Sequence, residues 1–565
     1  MRNKSGQGSS LLRKIAPQLI FVVALMPSLY LAWISRDMPQ FGRLSDDGIY
    51  WVCAKALAQG EGYRILNLPN RPWQTKYPPL YPLLLSSTWR LNPDFPNNLR
   101  MAASLSWLLF LALLLVARRT FIELGFGYAS SWILCAFLAL NGVFIMFSQV
   151  LMTELMFTCL LLGALQFLER SAKPESSDAN VLVAGVLAAA AFLTKVAGAP
   201  LLLIVPPYLV YRKKTRAALW FLIVMLPPVI GWAIWTHLHQ SRSTDLVTLY
   251  HTSYFGFHVY NLARTPLFRI VQDNLAGILS SIGGLFAVNP SGVTWIRVMS
   301  LPVAILAIVG TARATILTGA LVHLAYTISF LLSLLLWHFP PDERYLMPVF
   351  PIFLAGLAAE LRHIYISIRR SFRTPILIQR LFASLTAAAL CALGLLCAAL
   401  TVWVVFSYLP NLTVEERRQL AKYRKAYTWI KQNTSKDSYF LAQYDTRLFL
   451  YTHRPATRLH IPPFLGYETD RRDLLEYLAG LGNLMRQNGI HYALVGPSDL
   501  YLPIVPEESR RLQKRLFSDR SIFDLVYNSG EILIYRLKAR QDIMHRKGKE
   551  NETEGAPQNA LPPPG

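Results

Sequence analysis

The chain has 565 residues, 53% of them apolar and only 16% charged, with 56 Lys and Arg against 33 Asp and Glu for a net charge of +23. At a mean hydropathy of +0.33, this exceeds what the core of a soluble chain of this length can absorb, so a wholly soluble protein is excluded and most of the chain belongs in lipid. The basic excess forms no single stripe interleaved with aromatic residues, which argues against a nucleic-acid partner and for anionic membrane lipids.

Apolar runs of about 17 to 25 residues can cross a hydrocarbon layer of roughly 30 Å as helices. In chain order they fall near 15–34, 100–117, 124–147, 151–168, 179–193, 197–211, 217–235, 298–312, 315–337, 345–361 and 381–406, predicting about eleven transmembrane helices. The first run has the basic start of a secretory signal, but "AWISRDMPQF" continues it with no small-residue cleavage site, so it reads as a retained span. Short cytoplasmic loops hold an excess of Lys and Arg. Threading eleven spans puts Arg13–Lys14, Arg118–Arg119, Arg212–Lys213–Lys214 with Arg216, and the group from Arg362 to Arg380 all on one side. The expectation is therefore a multi-pass protein of the cell inner (plasma) membrane with a cytoplasmic N-terminus.

Three segments then fall on the extracytoplasmic side: a loop at 35–99, a second at 236–297, and everything after Phe406. Cys135, Cys159, Cys391 and Cys397 sit inside spans and only Cys53 lies outside, so neither a disulfide framework nor a metal-ligand spacing emerges. Residues 407–540 change from continuous apolar runs to amphipathic segments and read as a soluble α/β domain. There, Thr413-Val-Glu-Glu416 fits a capping box opening a helix to about Gln432. "YFLAQ" and "YALVG" read as strands, with a helical "RRDLLEYLAGLGNLMRQNG" before the second. "IFDLVYNSGEILIYRL" reads as a hairpin turning at Asn528-Ser529-Gly530. Tyr444, Asp445 and Arg454 are polar candidates in this domain, with packing the better explanation. The tail, 541–565, lacks any apolar period and is expected to be disordered.

The first external loop carries the chemistry. In "RLSDDGIYWVCAKAL", Ser45 is a good N-cap and places Asp46 and Asp47 in a first helical turn, where the backbone dipole favours negative charge. Consecutive helical residues point about 100° apart, so one aspartate faces a site and the other caps. Ile49, Tyr50, Cys53, Ala56 and Leu57 recur at helical spacing, predicting a short helix along the membrane surface. An acidic pair at a helix start usually does no more than begin the helix. Here "WQTKYPPLYPLLL" follows, with Lys76 ahead of a rigid Pro78-Pro79 turn, and a lysine at headgroup level suits a phosphate. Glu154, Lys195 and Arg344 map to the same side. Singly, Lys195 and Arg344 read as readily as snorkelling cations, and Glu154 as a helix cap; their convergence on one face favours a site. Trp51, Trp73, Tyr77 and Tyr81 read as an interfacial belt rather than a sugar platform.

Together, Asp46-Asp47-Gly48-Ile49-Tyr50, Lys76-x-Pro78-Pro79, the acid Glu154 and Arg344-Tyr345-x-x-Pro348-x-x-Pro351 resemble the GT-C membrane glycosyltransferases, nearest to the bacterial protein O-mannosyltransferase-like and aminoarabinose-transferase-like branch. The resemblance covers about 15–406 and implies a GT-C-like transmembrane catalytic domain over residues 1–406. It further implies an enzyme that moves a sugar from a polyprenyl-phosphate donor to an acceptor hydroxyl on the extracytoplasmic face, with inversion. Asp46 maps to the family's general base, while Asp47 stands where a glutamate is usual. With Glu154 these form the expected catalytic set, and Lys76, Lys195, Arg344 and Tyr345 the expected donor-phosphate set. Some relatives carry a metal-ligating glutamate directly before the lysine, but this chain has Thr75, so no metal cofactor is expected.

The residue types suit that chemistry. A positioned carboxylate that takes the acceptor's proton contributes about 100- to 10,000-fold, and cations stabilise the charge growing on a leaving phosphate. The rival class is a multi-span transporter of a lipid-linked or anionic substrate, which would place its ionisable groups near the midplane between matching halves. A nonenzymatic anchor for the C-terminal domain leaves the outer charges unexplained. Neither the sugar nor the acceptor, whether lipid, glycan or protein, is legible.

Overall fold

The computed structural model describes residues 5–241, 246–373, 376–466, 472–496, 511 and 515–538; the tail expected to be disordered lies outside them. The described chain divides into two compact units: Met1–Leu66 with Arg71–Leu420 and Pro462–Tyr467, and Asn67–Asn70 with Ala421–Ile461 and Glu468–Gly565.

The first unit is helical. It runs through α1 (Ser5–Ile34), α2 (Asp46–Ala58), α3 (Leu80–Leu91), α4 (Leu99–Glu123), α5 (Tyr128–Ala139), α6 (Gly142–Phe147), α7 (Glu154–Ser171), α8 (Asp178–Thr194) and α9 (Pro200–Tyr211). It continues through α10 (Thr215–His239), α11 (Leu246–Thr252), α12 (Tyr254–Leu262), α13 (Leu267–Phe286), α14 (Thr294–Thr318) and α15 (Leu321–Leu335). The last group is α16 (Glu343–Leu346), α17 (Phe350–Ser371), α18 (Leu377–Trp403) and the start of α19 (Leu409–Asn433), whose residues from Ala421 onward belong to the second unit.

Among the described residues, six helical segments are long and apolar enough to cross a membrane: Ile15–Ile34, Leu99–Glu123, Thr215–His239, Thr294–Thr318, Glu343–Ser371 and Leu377–Asn433. Four shorter apolar helices, Tyr128–Ala139, Asp178–Thr194, Val196–Tyr211 and Leu321–Leu335, accompany them. All the apolar runs read from the sequence fall on helices, with two breaks. The run 124–147 is interrupted at Asn141, whose side chain accepts from the N–H groups of Val143 (3.1 Å) and Phe144 (3.3 Å) and so starts α6 afresh. The run 315–337 is interrupted at Gly319, whose φ of 72° ends α14 in a left-handed turn.

Two local expectations change. No helix opens at Thr413: α18 passes through a π turn at Val404–Tyr408 straight into α19, and the Thr413 hydroxyl donates to the Leu409 carbonyl one turn back. The capping-box pattern is overridden because Leu31, Ile145, Val404, Val405 and Leu409 pack into one apolar cluster that carries the helix onward. Helix α2 does not lie on a lipid surface either. Residues Asp47 to Ala54 are buried in succession, with the Trp51 ring 4.9 Å from Trp89 of α3, so protein surrounds it.

Helix α8 has charged groups at both of its ends. Helix α7 begins at Glu154 and α8 returns to finish at Thr194, next to Lys195. The 17 residues of α8, at about 1.5 Å each, separate that end by roughly 25 Å from the basic connection where Lys214 Nζ donates to the Pro174 carbonyl (2.9 Å) and Arg216 pairs with Asp178 (3.0 Å).

The second unit builds a sheet from β1 (Phe440–Ala442), β2 (Ala456–Thr457), β3 (Tyr492–Val495), β4 (Phe523–Asn528) and β5 (Leu533–Leu537), in the order β2-β1-β3-β5-β4. The first three strands are parallel and β4–β5 is the antiparallel hairpin expected at Asn528-Ser529-Gly530. Tyr423, Ala426, Tyr427 and Ile430 of α19 cover one face, and Leu481, Met485 and Phe517 the other. Arg454 donates to the carbonyls of Lys431, Thr434 and Thr452, a packing role. Arg447, unremarked in the sequence, is buried with its guanidinium 3.8 Å from the Tyr444 ring.

Helices α14 and α17 cross closely at two glycines. A Cβ at Gly310 would fall 2.0 Å from the Gly356 carbonyl oxygen, and nearby Arg313 Nε meets Glu360 Oε2 at 2.7 Å. Gly310→Ala is expected to cost about 1 to 3 kcal/mol through overpacking, measurable as a lower unfolding temperature of the purified protein in detergent than the wild type gives.

Candidate functional site

The two aspartates part company at the start of α2. Asp46 faces a cleft of about 170 Å³, its Oδ1 accepting from the Tyr77 hydroxyl at 2.7 Å and its Oδ2 lying 3.2 Å from Arg344 Nη1. Asp47 is fully buried, does not line the cleft, and accepts from the Gly42 N–H at 2.7 Å, tying the preceding turn to the helix. Ser45 occupies the cap position with a φ of 66° and makes no side-chain capping bond, since this backbone is far from the extended conformation that aims a cap hydroxyl at the first turn.

Lys76 is held by its neighbours. Gln74 Oε1 accepts from the N–H groups of Lys76 (2.8 Å) and Tyr77 (3.2 Å), while Thr75 Oγ1 donates to the Thr252 carbonyl at 2.5 Å. The Lys76 ammonium sits 3.6 Å above the Tyr250 ring, a cation–π contact that keeps it extended.

The other charges arrive from helix ends. Glu154, in the first turn of α7 and 1% exposed, meets Lys195 Nζ at 2.9 Å and Arg344 Nε at 3.7 Å. Lys195 stands in an extended link between α8 and the following turn. Asp342 caps α16 by accepting from the Arg344 N–H at 3.0 Å, and Arg344 Nη2 donates to the Tyr345 hydroxyl at 2.7 Å. Six of the seven sequence-nominated residues thus line one cleft: Asp46, Lys76, Glu154, Lys195, Arg344 and Tyr345. Among these described residues two carboxylates face three cations, leaving an excess positive charge in a partly enclosed space. That arrangement suits an anion.

Burial, reinforced by Asp46, holds the Tyr50 and Tyr77 hydroxyls well above the ordinary phenol range, so both remain protonated donors. Tyr77 therefore fixes Asp46 instead of serving in an interfacial belt. Trp51 and Tyr81 are likewise fully buried in protein. The cleft also gains Tyr250, Tyr254 and Phe257 from the second loop and Trp337, His338 and Phe339 from the segment before Arg344. The spacing of 250, 254 and 257 is a helical period present in the sequence, but the chain breaks at the extended Ser253, so Tyr250 comes from α11 and Tyr254 and Phe257 from α12.

No known protein-family model matches the sequence, and no curated protein matches it. Solved structures do share its fold. ArnT from Cupriavidus metallidurans bound to undecaprenyl phosphate superposes over 92% of this chain and 98% of its own at 15% identity, with a TM-score of 0.50. The archaeal oligosaccharyltransferase AglB from Archaeoglobus fulgidus, in complex with an inhibitory peptide and a dolichol-phosphate, superposes over 94% of this chain and 75% of its own at 12% identity, with a TM-score of 0.52. The chain therefore has the helical membrane fold of these two solved structures, with a small C-terminal sheet region.

The Glu154–Lys195 contact makes a direct prediction. A double-mutant cycle with Glu154→Gln and Lys195→Met, read by detergent unfolding, is expected to give a coupling of about 0.5 to 3 kcal/mol; additive effects would mean the two charges do not interact.

Proposed function

We propose that this protein is an integral membrane glycosyltransferase that moves a sugar from a polyprenyl-phosphate donor to an acceptor hydroxyl. The single observation that carries the reading is the convergence of Asp46, Glu154, Lys76, Lys195 and Arg344, from four distant stretches of chain, on one cleft. The similar ArnT structure holds undecaprenyl phosphate and the AglB structure a dolichol-phosphate, ligands of the class that an excess of cations at a bilayer boundary would attract.

In this reading Asp46 is the general base. Tyr77 and Arg344 fix its two oxygens, and a phosphate entering beside Arg344 and Lys195 draws the guanidinium toward itself, which loosens Asp46 for its task. The acceptor oxygen attacks the anomeric carbon from the side opposite the phosphate and its proton passes to Asp46. The bond from anomeric carbon to phosphate oxygen breaks, and polyprenyl phosphate leaves with inverted sugar configuration transferred. Lys76, Lys195 and Arg344 stabilise the charge that grows on the leaving oxygen, with Tyr345 steadying Arg344. Asp47 acts by holding the turn that presents Asp46.

The same proposal puts the cleft on the extracytoplasmic face, because Lys214 and Arg216 sit at the far end of α8 and short basic loops stay in the cytoplasm. The N-terminus is then cytoplasmic and the C-terminal domain external. The protein cations carry the phosphate charge without a resident metal.

Three outcomes follow. Asp46→Asn lowers transfer from polyprenyl-phosphate sugars by about 100-fold or more while membrane insertion and unfolding temperature stay near wild type; undiminished transfer refutes the base. Turnover persists in excess EDTA, assayed by release of polyprenyl phosphate. A cysteine replacing Asn70 reacts with a membrane-impermeant maleimide added outside intact cells, and protection there would invert the topology.

A further inference from the structure

Given the glycosyltransferase reading above, the charge and walls of the cleft restrict which sugar the donor carries. Both carboxylates are engaged: Asp46 by Arg344 (3.2 Å) and Tyr77 (2.7 Å), Glu154 by Lys195 (2.9 Å) and Arg344 (3.7 Å). The negative charge of a sugar phosphodiester balances the remaining excess of the three cations. A protonated amine on the sugar ring would bring a further positive charge among Lys76, Lys195 and Arg344, with no uncommitted carboxylate among the described lining residues to receive it. Like charges brought together in an enclosed site are strongly unfavourable.

Of the segment before Arg344, the acids Asp342 and Glu343 do not line the cleft, and Asp342 is committed to capping α16 through the Arg344 N–H. Trp337, His338 and Phe339 line the cleft, and the Trp337 and Phe339 rings lie 6.1 and 5.6 Å from the ring of Tyr345, so an aromatic wall continues directly from the phosphate-facing residues. His338 is 7% exposed, and its Nδ1 lies 2.9 Å from His258 Nδ1, itself stacked on Trp337 at 5.2 Å. Two ring nitrogens facing each other at that distance need one proton between them, so the imidazoles cannot both be charged. Burial, together with His258 and Lys76, pushes His338 down to about 3, and burial also lowers His258. The pair is a neutral hydrogen-bonding group: it can meet a hydroxyl and has no charge with which to hold an amine.

We propose that the cleft accepts polyprenyl-phosphate donors whose sugar bears no positive charge, and that the Trp337–His338–Phe339 segment, held by His258, is the face on which the uncharged ring rests. Flat aromatic rings cover the apolar face of a pyranose, and the His258 contact at Nδ1 leaves Nε2 of His338 for a sugar hydroxyl. His338 and His258 act as specificity residues: His338 touches the sugar, and His258 acts through His338.

The test uses the full-length protein in lipid nanodiscs at pH 6.5, with three matched polyprenyl-phosphate donors: a neutral hexose, the same hexose with an amine replacing one hydroxyl, and its N-acetylated form. The readout is initial release of polyprenyl phosphate, supported by competition of each donor against radiolabelled polyprenyl phosphate. The amine donor is expected to fall at least about tenfold below the hexose in kcat/KM, and acetylation, which removes the charge, to recover the larger part of the loss. His338→Glu, which places a carboxylate in the wall, raises the ratio of amine to hexose turnover. If the amine donor matches the hexose in the wild type, or if His338→Glu leaves the ratio unchanged, the sugar restriction is overturned while the glycosyltransferase reading stands. If no donor is turned over and none displaces polyprenyl phosphate, the glycosyltransferase reading itself falls and this restriction with it.

Discussion

A single guanidinium organises the site. Arg344 reaches Asp46 with one nitrogen, Glu154 with another and the Tyr345 hydroxyl with a third. A planar fork of fixed donors can address several oxygens at once, which an ammonium on a flexible stem cannot. Two carboxylates brought this close would otherwise repel, and buried charges are tolerated only when paired and hydrogen-bonded. The starts of α2 and α7 therefore come together because Arg344 stands between them. Lys195 then closes the network on the remaining side of Glu154.

The helices deliver these groups to one place by ending there. Glu154 opens α7, Lys195 follows α8, and Arg344 sits on a short turn capped by Asp342 before α17 begins. Irregular backbone in a membrane protein is tolerable where it is enclosed by protein or lines a cavity, and the cleft is bounded by such segments. The long helices supply the rigidity behind them. The crossing of α14 on α17 at Gly310 and Gly356 is too close for any side chain, so the chain leading out of Arg344 is anchored by contact of backbone on backbone.

The balance of charge sets what the cleft can hold. With the carboxylates engaged by Arg344 and Lys195, and Lys76 poised over Tyr250, the cleft has a basic edge and an aromatic edge, which the proposed reaction assigns to an anionic group and a ring. A phosphate linked to a sugar has both parts in that order. A lipid-linked donor also accounts for a cleft carried by membrane-spanning helices and not by the sheet unit.

Composition and apolar periodicity alone determined that this is a helical membrane protein with a separate α/β unit, because runs long enough to cross a bilayer and alternating strand patterns are local properties of the chain. The candidate charges were legible too, since ionisable residues at the ends of apolar runs are costly and stand out. Their division of labour was not. That Asp46 enters the cleft while Asp47 braces Gly42, that Tyr77 serves Asp46 instead of the interface, and that α2 is sheathed in protein all depend on partners many residues away. Thr413 illustrates the same limit: its local pattern starts a helix, yet packing of Val404, Val405 and Leu409 runs the helix through it. Only tertiary structure decides such matters, because hydrogen bonds and burial are settled by which distant groups arrive, and no local pattern encodes that arrival.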